Sequence, residues 1–413
     1  MTDDSRKYDF LIVGAGIYGA AAARVLAERG FRVLIAERRD HVAGSAYTRD
    51  EGGICVHAYG AHIFHTSDDR VWEFVNRFAR FNSFRDEPKA FYRGRYYSLP
   101  FNMNTFYEMW GVSTPEEARQ IISEQIRAAG LEGVTPSDLE EQAVSQVGTD
   151  IFEKLIKGYT EKQWGRPCSE LPAEIIRRIP VRFEFNNDYF GDKYQGIPEC
   201  GFTELIQNML DHENIEVITG ADTRGPEARK RYEDMADRII WTGQIDEYYD
   251  YCFGPLEYRG LRFENEKIPG CEYYQDRAVI NYTDIDVPWT RIIEHRHFAE
   301  DPEFLNSVPG PGDQADGSGT EGDTTSHGSP VRAAEMKGFT IITREYPAEW
   351  KPGDDAFYPV RSPEDLERYE RYKSLAQAGG RVFFGGRLGS YKYYDMDDAV
   401  AAAMADAERL AEQ

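Results

Sequence analysis

The sequence predicts an α/β protein: a discontinuous Rossmann-like dinucleotide-binding domain, an inserted helical domain and an antiparallel β-sheet domain that receives substrate. Three observations predict it. Tyr8 to Glu37 reads strand, glycine turn, helix, strand. Asn104 to Lys157 is helical in pattern, and Tyr258 to Tyr282 with Phe339 to Tyr346 alternates aromatic and β-branched residues.

The first element carries the most chemistry. An apolar run, Tyr8 to Val13, leads into Gly14, Gly16 and Gly19 at the G-x-G-x-x-G spacing. Gly14 permits the tight turn, Gly16 lets backbone approach a pyrophosphate without a Cβ, and Gly19 allows close helix-to-strand packing. The alanine-rich helix that follows closes at Gly30, and its N-terminus offers unpaired N–H groups to phosphates. Phe31 to Ala36 is a second strand, with Glu37 at its end to accept hydrogen bonds from ribose hydroxyls. A carboxylate there disfavours a 2′-phosphate, so FAD or NAD is expected rather than NADP.

Further along, Val71 to Phe84 has helical periodicity, and Ala90 to Pro100 reads as a strand pair around Arg93-Gly94. Thr114 is a predicted N-cap before Pro115, inside a helical insertion assigned to 104–180. Gly165 and Pro167 break that insertion and leave a lid loop near 160–180. Ile197 to Leu210 reads as a turn into a helix, and Ile215 to Ile218 and Arg238 to Gly243 as strands returning to the nucleotide domain. Arg381 to Ala403 is strand, second glycine turn, helix. The nucleotide domain is therefore assigned to 1–85, 197–245 and 351–413, and the sheet domain to 86–103, 181–196 and 246–350. Within the last, 308–329 is acidic and low in large apolar groups, and is expected to be disordered.

Bulk properties exclude several functions. With 413 residues the chain can form two or three domains, and its net charge of −24 repels nucleic acid and anionic membranes. An anionic substrate then requires arginines that reverse the field locally. The longest uncharged apolar stretch, Phe10 to Ala23, is too short and glycine-rich to span a bilayer. Met1 to Lys7 is polar and acidic, unlike a signal peptide, so a cytoplasmic protein is expected. Five cysteines without a C-x-x-C pair suggest neither zinc nor a disulfide framework. His57, His62 and His65 lack H-E-x-x-H spacing, so no metal is expected.

Several segments resemble one family. They are YGAHIFHT at 59–66, LPFNMNTFYEMWGV at 99–112, GYTEKQWG at 158–165, RRIPVRF at 177–183, YQGIP at 194–198, LEYRGLRFE at 256–264, VPWTRIIEH at 287–295 and FFGGRLGSYKYYDMD at 383–397. In this order they resemble the flavin-dependent UDP-galactopyranose mutases over nearly the whole chain outside 308–329. The resemblance implies FAD, active when reduced, and interconversion of UDP-galactopyranose and UDP-galactofuranose through a flavin–sugar adduct and an iminium, with no net redox change.

The resemblance also assigns roles. Arg178 and Arg291 match diphosphate-binding arginines, and Arg387 matches the arginine beside the flavin. Tyr346 and Tyr393 match two phosphate-side tyrosines, and His62 a flavin-side position. Together these six form the expected catalytic set. Tyr159, Trp164 and Tyr189 match uridine-stacking and lid positions, and Asn281 a sugar-side position. Cofactor contacts are expected from Gly14, Gly16, Gly19, Glu37, Arg38, Gly44, Gly386, Asp395 and Met396, besides His62 and Arg387.

Two departures bear on sugar or base choice, and a third is a conservative drift. Asp86 stands where the family usually has asparagine near the sugar, and Leu155 where an aromatic often flanks uracil. The G-G-N-A-Y pattern appears as Ala43-Gly44-Ser45-Ala46-Tyr47. The alternatives are a sister mutase acting on a dTDP-deoxyhexose or UDP-pentose, an FAD amine oxidase or desaturase, and a non-catalytic flavin sensor. Expected partners are the nucleotide-sugar substrate, a second copy in a homodimer and a cellular reductant.

Overall fold

The computed structural model describes residues 7–177, 179–299 and 338–413. The segment 308–329 and Arg178 lie outside the described residues.

Five parallel strands form the nucleotide-domain sheet, in the order Val382–Phe384, Ala236–Trp241, Tyr8–Val13, Val33–Ala36, Ile215–Ile218. They come from three separated stretches of chain, which is why the domain is discontinuous. Both faces are covered, so the strands read as unbroken apolar runs: Phe10 and Ile12 face one cluster, Leu11, Leu34 and Ile239 another. On the first face the helices Ile17–Glu28 and Met396–Ala411 meet through alanines, among them Ala20, Ala23, Ala403 and Ala407, all buried. Small side chains let the two helix backbones approach closely.

The second sheet has seven strands, in the order Tyr358–Pro359, Tyr258–Pro269, Phe339–Glu349, Arg291–Glu294, Val279–Tyr282, Lys89–Tyr92, Arg95–Ser98. It is antiparallel except where Val279–Tyr282 runs parallel to Lys89–Tyr92. A long crossover through the helical insertion makes that pairing possible. Residues 181–196, expected in this sheet, do not join it. They are irregular as far as Tyr194–Gly196, which pairs with Phe64–Thr66 in a separate two-stranded ladder. The intervening Asn186-Asn187-Asp188 run turns on itself, Asn186 Oδ1 accepting from the Asp188 amide at 2.9 Å. Tyr358–Pro359 joins the seven-stranded sheet rather than the Rossmann-like domain to which 351–413 is assigned.

The insertion has its own core around Phe106, Leu139, Ile151 and Phe152. Its second helix, Pro115–Ala128, starts at a capping box between Thr114 and Glu117, as the sequence predicts. By contrast, the helix expected over 71–84 spans only Asp69–Asn76. Asn82 draws the following chain away, its Nδ2 donating to the Phe298 carbonyl at 2.9 Å and its Oδ1 accepting from the Ile197 amide at 2.8 Å. Among the described residues no helix is long and apolar enough to cross a membrane.

Candidate active site

The glycine turn forms a cleft of about 270 Å³. A Cβ on Gly14 would lie 2.2 Å from Thr242 Oγ1, and one on Gly19 would lie 2.1 Å from the Gly14 carbonyl oxygen. At Gly16, by contrast, a Cβ meets no protein atom within 4 Å. That open backbone is where a pyrophosphate fits. Glu37 is buried and braces the turn: its Oε2 accepts from the Ala15 amide and its Oε1 from the Arg39 amide, both at 2.8 Å. Arg38 lines the cleft with Gly44 and Gly386, but it and Arg39 are ion-paired to Asp355. Both guanidinium groups are thus already engaged by a carboxylate of the chain itself.

A second cavity, of about 550 Å³, opens between the seven-stranded sheet, the helical insertion and the second glycine turn. His62, Arg387, Asp395 and Met396 line both cavity and cleft, so a ring at the end of a bound dinucleotide meets whatever fills the cavity. The sequence-predicted residues Asp86, Tyr159, Tyr189, Asn281, Arg291 and Tyr393 line the cavity, as does Leu155.

Arg291 is the electrostatic centre. Its Nε and Nη2 donate to one oxygen of Glu345, at 2.9 and 2.7 Å, and Glu345 is only 1% exposed. The register that pairs Arg291 with Glu345 across neighbouring strands sets this contact. Arg387 is held differently, its Nη2 donating to the Tyr394 carbonyl at 2.7 Å, and among the described residues it has no ion pair. Its guanidinium lies 5.2 Å from the Tyr393 ring centre. His62 is neutral: burial pushes it down to about 4. Its Nδ1 sits 2.8 Å from the Gly60 carbonyl and must carry the proton, so Nε2 is an acceptor.

Two buried acceptors wait in the cavity wall. Among the described residues Asp86 Oδ1 and Asn281 Oδ1 have no hydrogen-bond partner, an uncommon state that ligand hydroxyls would relieve. Burial lifts the Asp86 carboxyl to about 7, with Arg291 opposing. An unfolded aspartate ionises near 3.9, so the folded protein holds this proton longer and loses stability as pH rises from about 4 through 7. Asp86→Asn is therefore expected to raise the melting temperature relative to wild type more at pH 8 than at pH 5. Melts at the two pH values check it; an equal difference at both would contradict the assignment.

Two expectations are corrected. Tyr346 does not reach the cavity: it follows Glu345 on a strand, so alternation turns it to the opposite face. There its hydroxyl donates to Glu264 at 2.7 Å, under the Arg262 guanidinium. Tyr358 occupies the cavity in its place, stacked on Tyr393 with ring centres 6.0 Å apart. Trp164 also misses, because it lies five residues beyond Tyr159, about 140° round the same helix. It packs on the core of the insertion. Glu345, Tyr358 and Asp355 escape sequence reasoning. Only the Tyr-Pro step at 358–359, resembling the Tyr-Pro of 346–347, signals that the tyrosine expected on the phosphate side has two candidates. Among the described residues no group of three or more His, Cys, Asp or Glu side chains is placed to hold a metal ion.

Comparison with known proteins places this geometry. The family described as UDP-galactopyranose mutase matches residues 154–308 and 330–393, and an NAD(P)-binding Rossmann-like domain matches 12–78. A probable UDP-galactopyranose mutase of Klebsiella pneumoniae is 38% identical over 97% of this chain and 94% of its own length. A dTDP-fucopyranose mutase of Escherichia coli is 35% identical over 95% of this chain and 96% of its own. The crystal structure of a reduced UDP-galactopyranose mutase shares the fold, with a TM-score of 0.69 at 14% identity, over 98% of this chain and 94% of that one. A Rossmann-like cleft that shares a wall with an arginine-centred cavity, on a chain this similar end to end, belongs to the UDP-galactopyranose mutase family of nucleotide-sugar isomerases.

Proposed function

We propose that the protein interconverts UDP-galactopyranose and UDP-galactofuranose, with FAD in the cleft and the nucleotide sugar in the cavity. The wall shared by His62, Arg387, Asp395 and Met396 supports the reading, since a cofactor ring in the cleft and a sugar in the cavity would meet across it. The reduced flavin supplies a nucleophilic ring nitrogen.

The chain's own groups do the rest. Arg291, Arg387, Tyr358 and Tyr393 hold the diphosphate, with Arg178 added by motif. UDP is both leaving group and returning nucleophile, and forked guanidinium donors keep it in place while it is unbonded. Tyr159 and Leu155 flank the base, and Asp86 and Asn281 accept from sugar hydroxyls. His62, neutral, offers a lone pair and donates no proton from Nε2. On the same reading the enzyme works in the cytoplasm as a homodimer, supplies galactofuranose for cell-surface polysaccharide, and relies on a cellular donor to keep the flavin reduced.

The relative named dTDP-fucopyranose mutase and the buried acid at Asp86 favour a dTDP-deoxyhexose as second reading. An anaerobic incubation of the yellow protein with UDP-galactofuranose or dTDP-fucofuranose, with and without dithionite, separates them. Conversion of the UDP sugar only after reduction supports the first reading; conversion of the dTDP sugar alone transfers it to the second. Tyr358→Phe is expected to lower kcat/KM by about tenfold, the order of a lost charge-assisted hydrogen bond, whereas Tyr346→Phe stays near wild type. Steady-state kinetics of the two variants check this, and the reverse pattern would restore Tyr346 as the phosphate tyrosine.

A further inference from the structure

We propose that Lys162 is a positioning residue for the nucleotide site, a hub that holds the cavity helix and the Asn281–Arg291 hairpin in register. The observation is a carbonyl cage. Lys162 Nζ donates to the backbone oxygens of Tyr282 at 2.7 Å, Asp284 at 2.8 Å, Val287 at 3.0 Å and Trp289 at 3.0 Å. Four acceptors surround three N–H groups, and among the described residues the ammonium forms no ion pair. The neighbouring Asp284 carboxylate is engaged by Arg93 Nε at 3.0 Å.

What the cage joins gives it meaning. The caged loop runs from Asn281 to Arg291, which face each other as register partners and both line the cavity. Lys162 sits on the helix Lys157–Trp164, one turn beyond Tyr159, which lines the cavity from the other side. Lys162 itself does not reach the cavity. Further contacts close the same seam: Thr283 Oγ1 donates to the Lys154 carbonyl at 2.7 Å, and a Cβ on Gly158 would lie 2.4 Å from the Thr283 carbonyl oxygen. Helix and loop therefore touch backbone to backbone, and one ammonium gathers four backbone carbonyls of the hairpin. The distance between the base-side ring of Tyr159 and the groups at Asn281 and Arg291 is set across this seam. A shift of about 1 Å there is enough to cost about 100-fold in rate.

The inference rests on reading the cavity as a nucleotide-sugar site, and the test separates the two. Lys162→Met keeps most of the length of the side chain, one heavy atom shorter, and removes its charge and donors. In the flavin-loaded full chain it is expected to leave flavin content unchanged, weaken UDP binding by about tenfold or more and lower kcat/KM by about 100-fold. Ethylammonium added to Lys162→Ala is expected to recover part of the UDP affinity, and ethanol none. Hydrogen exchange on the wild-type protein removes any dependence on a variant's folding: residues 157–164 and 283–290 should open together, with one free energy. Wild-type UDP affinity in Lys162→Met, or independent opening of the two segments, overturns the hub. A wild-type protein that binds no UDP defeats the reading of the site instead, and joint or separate opening still decides Lys162.

Discussion

Arg291→Ala is expected to abolish measurable turnover, with kcat/KM down by at least about 1000-fold, and to destabilise the folded protein as well. The two effects have separate origins. Without the guanidinium, the diphosphate loses a forked, charge-assisted contact of about 1.5–3 kcal/mol per hydrogen bond. At the same time Glu345, 1% exposed and bonded through one oxygen to both Nε and Nη2, is left as a buried charge. Breaking a buried pair from one side costs about 3–5 kcal/mol of stability. Glu345→Gln is the control: it removes the acid and keeps the arginine, so it should retain UDP binding better than Arg291→Ala does. Arg291→Lys keeps charge but not the fork, and should fall between. Thermal melts and UDP titrations of the three variants check the order. An Arg291→Ala protein with wild-type UDP affinity would remove the diphosphate site from this wall.

The second large effect is expected at the glycine turn, where Gly16 and Gly19, three residues apart in sequence, should fail differently.

 Gly19→Ala forces a Cβ to within 2.1 Å of the Gly14 carbonyl oxygen, backbone that has no room to retreat. It should destabilise the domain by about 1–3 kcal/mol or more and leave the protein colourless. Gly16→Ala meets no protein atom within 4 Å, so the fold should persist while flavin occupancy falls, because the added methyl group takes the space of the pyrophosphate. Absorbance of the bound flavin and a circular-dichroism melt distinguish the two. Full flavin in a folded Gly16→Ala protein would move the pyrophosphate away from this turn.

Much of the cofactor half is legible in the chain itself. Gly14, Gly16, Gly19 and Glu37 lie within one strand–turn–helix–strand unit, and local geometry alone brings them to one cleft. The capping box at Thr114 and Glu117 is likewise a matter of three residues' separation. The substrate half is harder to read, since Asp86, Tyr159, Asn281 and Arg291 come from separate elements and meet only when the sheet and the insertion close on each other. Tyr346 illustrates the difficulty. Motif matching put it beside the phosphates, yet one step of strand alternation sends Glu345 inward and Tyr346 outward.

Local sequence, through its glycine spacing, apolar periodicity and ordered motifs, was sufficient for the Rossmann-like domain, the helical insertion and the family. These depend on interactions between residues close along the chain, or on motif order, and need no long-range register. Which tyrosines face the cavity, which acid holds Arg291, and which carbonyls Lys162 meets were decided only in the folded molecule. Each depends on strand register, strand face or backbone carbonyls from a distant loop, and those are set when separate elements pack together.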